Sequence, residues 1–261
     1  MRLTIVGCCG SMSGAKSASS CYLVQARDAD RCYSVVLDLG SGAMGQLTRY
    51  VHPVDVDAIV LSHTHADHCV DLVGMQVYRR WHPDGELGPV PVYCPDEDAD
   101  ARLRGISGDS PEEDYRGEYD FTQVSPGNQI QIGPMTLEFF KAWHTVPALA
   151  VRITGPSETD PAKQVKLTYT GDTDLSEAVV SSATEVDLLL SEAAFQEGRD
   201  TVSGVHMTGL RAGKLARRAG ANRLLLTHLQ PWTDPVQTKA DARSQCEVDV
   251  QVVAAGDVYE I

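Results

Sequence analysis

The chain has no long hydrophobic run. Its longest uncharged opening, Leu3–Ala15, is thirteen residues rich in Gly and Ser, too short to span a bilayer. Its alternation suits a buried N-terminal strand better than a signal peptide. Positive charge is also scarce: 22 Lys and Arg against 36 Asp and Glu leave a formal net charge of −14. Such a surface repels nucleic-acid polymers and anionic membranes. No basic stripe offsets it, since Arg79-Arg80 is only a pair, and Arg211, Lys214, Arg217 and Arg218 read as an exposed helix face. The acidic stretches PDEDAD (95–100) and DSPEED (109–114) read as solvated loops or helix starts. Seven cysteines, an odd set without a CxxC pair, argue against a disulfide framework and against a cysteine zinc site. They are expected to be reduced, mostly buried thiols of a cytoplasmic protein. Linkers, repeats and low-complexity segments are absent, so the 261 residues are read as one domain, 1–261.

What is present is a succession of short apolar runs alternating with helical patterns. Strands are expected at 3–6, 21–24, 34–37, 58–61, 90–93, 136–140, 150–153, 166–169, 188–190, 223–226 and 248–253. Helices are expected at 44–51, 70–81, 208–219 and 238–243. The order suits layered sheets with outer helices. Gly-rich turns (VGCCGS, DLGSG, YTGDT) follow several strands, where an α/β scaffold usually presents its chemistry.

Of eight histidines, three fall with an aspartate inside six residues, in LSHTHADHCVDL (61–72). His63 and His65, two apart in an extended segment, point to one side, and Asp67 and His68 follow where a helix begins. Imidazole and carboxylate are ligands for zinc, manganese or iron. A capping aspartate among surface histidines is the plainer reading, but chance rarely builds HxHxDH at the end of a buried strand. Further candidates end other strands: His144 after LEFFKAW, Asp172 in YTGDT, and His228 after LLL.

These motifs, HTHADH, WH (143–144), GD (171–172) and TH (227–228), in this order, resemble the metallo-β-lactamase superfamily along nearly the whole chain. The resemblance implies an α/β fold of αββα type, two mixed β-sheets packed face to face with helices outside. It implies that His63, His65 and His144 hold one metal, that Asp67, His68 and His228 hold a second, and that Asp172 bridges them. Zinc is the expected ion because the set is imidazole-rich, with manganese or iron as alternatives. SGVHMTG (203–209), where His206 precedes a helix capped by Thr208, and LLLSEAAF (188–195), where Glu192 ends a strand, resemble the phosphodiesterase branch that includes ribonuclease Z. There the histidine helps protonate the leaving oxygen, supported by the glutamate. For Glu192 an ordinary polar strand end is the competing reading.

Two divalent ions against Asp67 and Asp172 would make the cleft locally positive, suited to a phosphodiester. Water acidified between the ions would attack phosphorus, with Asp67 orienting it and His206 as the acid. Trp232 is expected to border the substrate, as are Arg79, Arg80 and Trp81, although for the two arginines a surface pair lying over apolar groups is the stronger reading. The continuation CVDLVG, with YRRWHP and LTHLQPWT, resembles actinobacterial cyclic-nucleotide phosphodiesterases. Only 28 positions separate His144 from Asp172, space for two strands and a turn but not for the long arm with which ribonuclease Z grips transfer RNA. The expected substrate is therefore a small 3′,5′-cyclic nucleotide, cyclic AMP first. A ribonuclease Z-like nuclease, a lactone or thiolester hydrolase and a non-catalytic metal-binding module are the alternatives. The resemblance also suggests a homodimer, and the acidic charge argues against stable nucleic-acid or membrane binding.

Overall fold

The computed structural model describes residues 1–110 and 112–261. Pro111, within DSPEED, lies outside the described residues. The first sheet is formed by β1 (Arg2–Cys9), β2 (Ala18–Ser19), β3 (Cys21–Arg27), β4 (Cys32–Leu37), β5 (Ala58–Val60), β6 (Val90–Cys94), β7 (Tyr119–Gln123) and the last strand of the chain, Val258–Glu260. That last strand pairs with β1, and the order continues β1-β3-β4-β5-β6-β7, with β2 beside β1. The second sheet comprises β8 (Gln129–Ile132), β9 (Met135–Lys141), β10 (Leu149–Pro156), β11 (Gln164–Tyr169), β12 (Leu188–Glu192), β13 (Arg223–Thr227) and β14 (Asp249–Val252), neighbours in sequence order. Both sheets are mixed. Pairing is antiparallel where hairpins connect strands, as in β9-β10-β11, and parallel where helices intervene, as in β11-β12-β13-β14.

Strand alternation explains the layering. Along β1, Leu3 and Ile5 face the core between the sheets while Val6 faces the outer helices, and in β3 and β4 Tyr22 and Leu37 point inward while Leu23 and Val36 point outward. Leu137, Phe139, Ile153 and Leu167 complete the inner core from the second sheet. On the outer face of the first sheet lie α1 (Ala43–Leu47), α2 (Ala66–Cys69), α3 (Leu72–Arg80) and α4 (Ala99–Ser107), contributing Leu47, Cys69, Met75 and Leu103. Helices α5 (Glu177–Ser182), α6 (Gly209–Ala219) and α7 (Pro235–Arg243) cover the second sheet with Val179, Leu215 and Ala242. The result is the expected αββα sandwich. No helix among the described residues is long and apolar enough to cross a membrane. All seven cysteines are unpaired, five of them buried.

Several expected elements change length. The helix expected at 44–51 stops at Leu47, and that at 70–81 is α3, Leu72–Arg80, preceded by the separate short helix α2. Helix α6 starts after Thr208, whose side chain accepts from Arg211 N as the cap. Helix α7 begins three residues earlier than expected, at Pro235, capped by Asp234. The exposed basic face of α6 is corrected at Arg211, whose guanidinium turns onto buried Asp174 at 2.9 Å.

Candidate metal centre and active site

The candidate ligands sit just past the ends of β5, β9, β11 and β13, and the sandwich brings those ends together. Two nests result. In the first, His65 Nδ1 lies 3.0 Å from His63 Nε2 and 3.1 Å from His144 Nε2. In the second, His68 Nε2 lies 3.4 Å from Asp67 Oδ2 and 3.3 Å from Asp172 Oδ2, and His228 Nε2 lies 3.3 Å from Asp172 Oδ1 and 3.7 Å from Asp67 Oδ2. Asp172 Oδ2 also lies 3.7 Å from His63 Nε2 and 4.0 Å from His144 Nε2, so this carboxylate stands between the nests. Ligands at about 2.0–2.1 Å around a tetrahedral ion are separated by about 3.3 Å, close to these spacings.

Four of the rings are turned inward by what holds their other nitrogen. His63 Nδ1 meets Ser62 Oγ at 3.0 Å, His68 Nδ1 meets Asp38 Oδ2 at 2.7 Å, His144 Nδ1 meets the Val205 carbonyl at 2.7 Å, and His228 Nδ1 meets Ser20 Oγ at 2.8 Å. Such partners fix ring orientation and tautomer for metal binding. Asp67 Oδ2, His68 Nε2, Asp172 Oδ1 and His228 Nε2 are buried without a hydrogen-bond partner. Four orphaned polar atoms aimed at one point are costly unless a cation satisfies them. The residues present therefore fit a metal cluster.

Asp38 was not singled out in the sequence. Fully buried, it accepts from Ser62 N at 2.7 Å, Ser62 Oγ at 2.8 Å and Tyr169 OH at 2.7 Å while backing His68. The available signal was its place: the aspartate of DLGSG follows β4 much as Asp172 of YTGDT follows β11. The glycine behind it has a steric purpose. A Cβ on Gly40 would lie 1.9 Å from the Asp67 carbonyl, and one on Gly10, in VGCCGS, would lie 2.1 Å from the His228 carbonyl. Both turns can back the ligand loops this closely only without a side chain.

Electrostatics separate the two nests. Burial, reinforced by neighbouring histidines, depresses the pKa of His63, and burial likewise lowers His65 and His144, which favours the neutral rings that metal binding requires. Burial opposes charge on Asp172, yet His228 and His68 hold its carboxyl well below the usual range; Asp67 is lowered against its own burial chiefly by His68. His68 goes the other way: despite complete burial, Asp172 and Asp38 raise it well above an ordinary histidine.

Beside this cluster stand His206 and Glu192. His206 Nδ1 lies 3.0 Å from Glu192 Oε1 and 3.8 Å from Asp172 Oδ2. Fully buried Glu192 is pinned by Thr173 N and Ala194 N, each at 3.0 Å. Burial opposes protonation of His206, but the Glu192 and Asp172 carboxylates win and raise it to about 9. His206 is also close enough to His144 and Asp172 to complete a third potential ligand group. Its loop is clipped by a second residue not singled out in the sequence, Asp174, which accepts from Gly204 N at 2.8 Å and from Arg211 Nη1 at 2.9 Å.

The expected substrate contacts fare differently. Arg79 is buried and spends its guanidinium on the Gly88 and Pro53 carbonyls, and Arg80 is held by Glu113 and Glu118. Both occupy the last turn of α3, roughly 12 Å along the axis from its start. The expectation that they border the cleft is corrected: their charges and donors are consumed by structure. Trp81, beyond them, is 75 % exposed. Trp232 is exposed in the loop after His228, its carbonyl tied to Arg199 Nη1 at 3.2 Å.

Known proteins give this arrangement a family. Residues 33–229 match the family described as "Beta-lactamase superfamily domain". An uncharacterised protein of Mycobacterium leprae is 34% identical over 268 residues, covering 100% of this chain and 89% of that one. The probable metallo-hydrolase YhfI of Bacillus subtilis is 32% identical over the full length of both chains. Its crystal structure superposes with a TM-score of 0.83 at 30% identity, covering 99% of this chain and 98% of that one. A ribonuclease Z of Methanopyrus kandleri is 27% identical over 85% of each chain. The chain belongs to the metallo-β-lactamase superfamily, as a metallo-hydrolase related to ribonuclease Z.

Proposed function

We propose that the protein is a dinuclear metal-dependent phosphodiesterase that hydrolyses 3′,5′-cyclic nucleotides, cyclic AMP first, to 5′-monophosphates. The observation that carries this reading is the buried His206–Glu192 pair at 3.0 Å beside the ligand cluster. A hydrolase of thiolesters, whose thiolate leaves without protonation, has less use for a proton donor of this kind than one that expels an alkoxide. His63, His65 and His144 would hold one ion and Asp67, His68 and His228 the other, with Asp172 shared; zinc suits the imidazole-rich set, and manganese or iron would also be accepted. Bound there, the ions would supply Lewis acidity and an acidified water.

The chain's own residues account for the rest. Asp67, its Oδ2 free of hydrogen-bond partners, orients the attacking water. As the bond from phosphorus to the 3′ oxygen breaks, His206 delivers its proton to that oxygen, and Glu192 maintains the imidazolium and its aim. Trp232 borders the substrate on the His228 side.

A transfer-RNA precursor is the second reading, favoured by the likeness to ribonuclease Z. Against it, the interval from His144 to Asp172 is filled by β10, β11 and a short turn, with no arm, and a net charge of −14 opposes a long polyanion. The test is a comparison of specificity constants of zinc-loaded protein for cyclic AMP, cyclic GMP, 2′,3′-cyclic nucleotides, a linear dinucleotide and a transfer-RNA precursor. Cyclic AMP is expected to lead. Efficient trimming of the precursor with negligible cyclic AMP turnover would reverse the choice, and hydrolysis of lactones or thiolesters alone would end the phosphodiesterase reading.

A further inference from the structure

A cleft of about 540 Å³ opens beside His144, walled by Trp143, Val146, Pro147, Pro95, Val124 and Pro126. It adjoins the candidate centre at His144, which lines it and turns Nε2 into the ligand cluster. Its volume falls within the usual range for small-ligand sites, about 300–1,000 Å³.

Trp143 is held in a way that leaves a usable ring. Its amide donates to Thr173 Oγ1 at 2.8 Å and its carbonyl accepts from Asp174 N at 2.8 Å, so the backbone is fixed on both sides. The indole lies against Gly204, where an added Cβ would stand 2.8 Å from Nε1. Yet the residue remains 48 % exposed. A large aromatic side chain with a fixed backbone and an open face, one residue from a candidate ligand, is costly to leave to water. The other walls are mainly apolar and proline-rich, with Ser125 and Lys141 as the polar members, which suits a flat occupant carrying a few polar edge groups.

We propose that this cleft receives the nucleobase of the substrate, with the Trp143 indole stacked on it while the phosphodiester lies at the metal cluster. The inference rests on the phosphodiesterase reading and adds to it the recognition of the base. A planar base fits the open aromatic face, and stacking of this kind tolerates different bases. Selectivity between cyclic AMP and cyclic GMP would therefore be modest.

The test compares cyclic AMP with the 3′,5′-cyclic phosphate of abasic ribose in the zinc-loaded protein, its Trp143→Ala and Trp143→Phe variants, and Val146→Phe, which narrows the cleft and leaves Trp143 in place. Trp143→Ala should lower the preference for cyclic AMP over the abasic substrate by about 5- to 100-fold, mainly through KM, and Trp143→Phe should restore most of it. Val146→Phe should also lower that preference. Equal losses on both substrates through kcat, with an unaltered preference in all three variants, would mean that Trp143 only supports the His206 loop and would overturn the inference while leaving the phosphodiesterase reading intact. Turnover of neither cyclic substrate by the parent would overturn both.

Discussion

The two nests are built on different principles. The His63, His65 and His144 nest offers three neutral nitrogens, its outer hydrogen bonds coming from a Ser62 hydroxyl and the Val205 carbonyl. The Asp67, His68, Asp172 and His228 nest contains two carboxylates, with a third, Asp38, behind His68. It also contains the four orphaned buried atoms. Charge makes the second nest the stronger attractor for a dication, and imidazole makes the first more selective for a softer one such as zinc. Asp172 belongs to both, so the first nest borrows a ligand carboxylate from the second.

The sharpest way to break this comparison is Asp172→Ala. Both nests should fail together, with metal content falling below one ion per chain by elemental analysis and phosphodiesterase activity falling to background. Retention of two ions would show that the nests are independent. His206→Ala should separate chemistry from metal binding, lowering kcat on cyclic AMP by about 10²–10⁴ while metal content stays near normal. A nitrophenyl diester would be the wrong substrate, because its leaving group needs little protonation. If His206→Ala loses metal instead, His206 acts as a ligand beside His144 and Asp172.

Asp38→Asn should act most on the nest it touches directly. Metal affinity at the carboxylate-rich nest should weaken by about 10- to 100-fold, measured by competition with a chelator, while the neutral-nitrogen nest, which Asp38 reaches only through Ser62, changes less. The smallest effect is the pH dependence of the metal-free protein. His206, raised to about 9 in the fold against about 6.5 in the unfolded chain, stabilises fully below the lower value, and this contribution is lost as pH rises through the higher one. His68 is raised too and carries the same sign. The urea midpoint of chelator-treated protein should fall from about pH 6.5 to 9, with a shallower slope in Glu192→Gln. A flat or rising midpoint would contradict the His206–Glu192 geometry.

The ligand types were legible because a histidine or aspartate placed just after an apolar strand announces itself by position, and HTHADH did so several times in one loop. Asp38, Asp174 and Ser20 did not, because each is an ordinary turn or strand-end residue until a distant partner arrives. Tyr169, which donates to Asp38, is 131 positions away. For Arg79 and Arg80 a structural role is the stronger sequence reading, but sequence spacing does not reveal the carbonyls and glutamates that occupy them or the burial of Arg79. In the fold, the core strands stood out by their buried alternation, whereas β7 and β8 are polar, lie at sheet edges and show few buried side chains. Short α5 carries only two buried residues, Val179 and Ser182, too few to set a helical period.

The most direct test is a zinc titration of metal-free protein that follows binding and cyclic AMP hydrolysis in the same samples. Two equivalents per chain are expected, the first filling the carboxylate-rich nest without turnover and hydrolysis rising across the second. Full activity at one equivalent, or two bound equivalents that leave cyclic AMP untouched, would contradict the account.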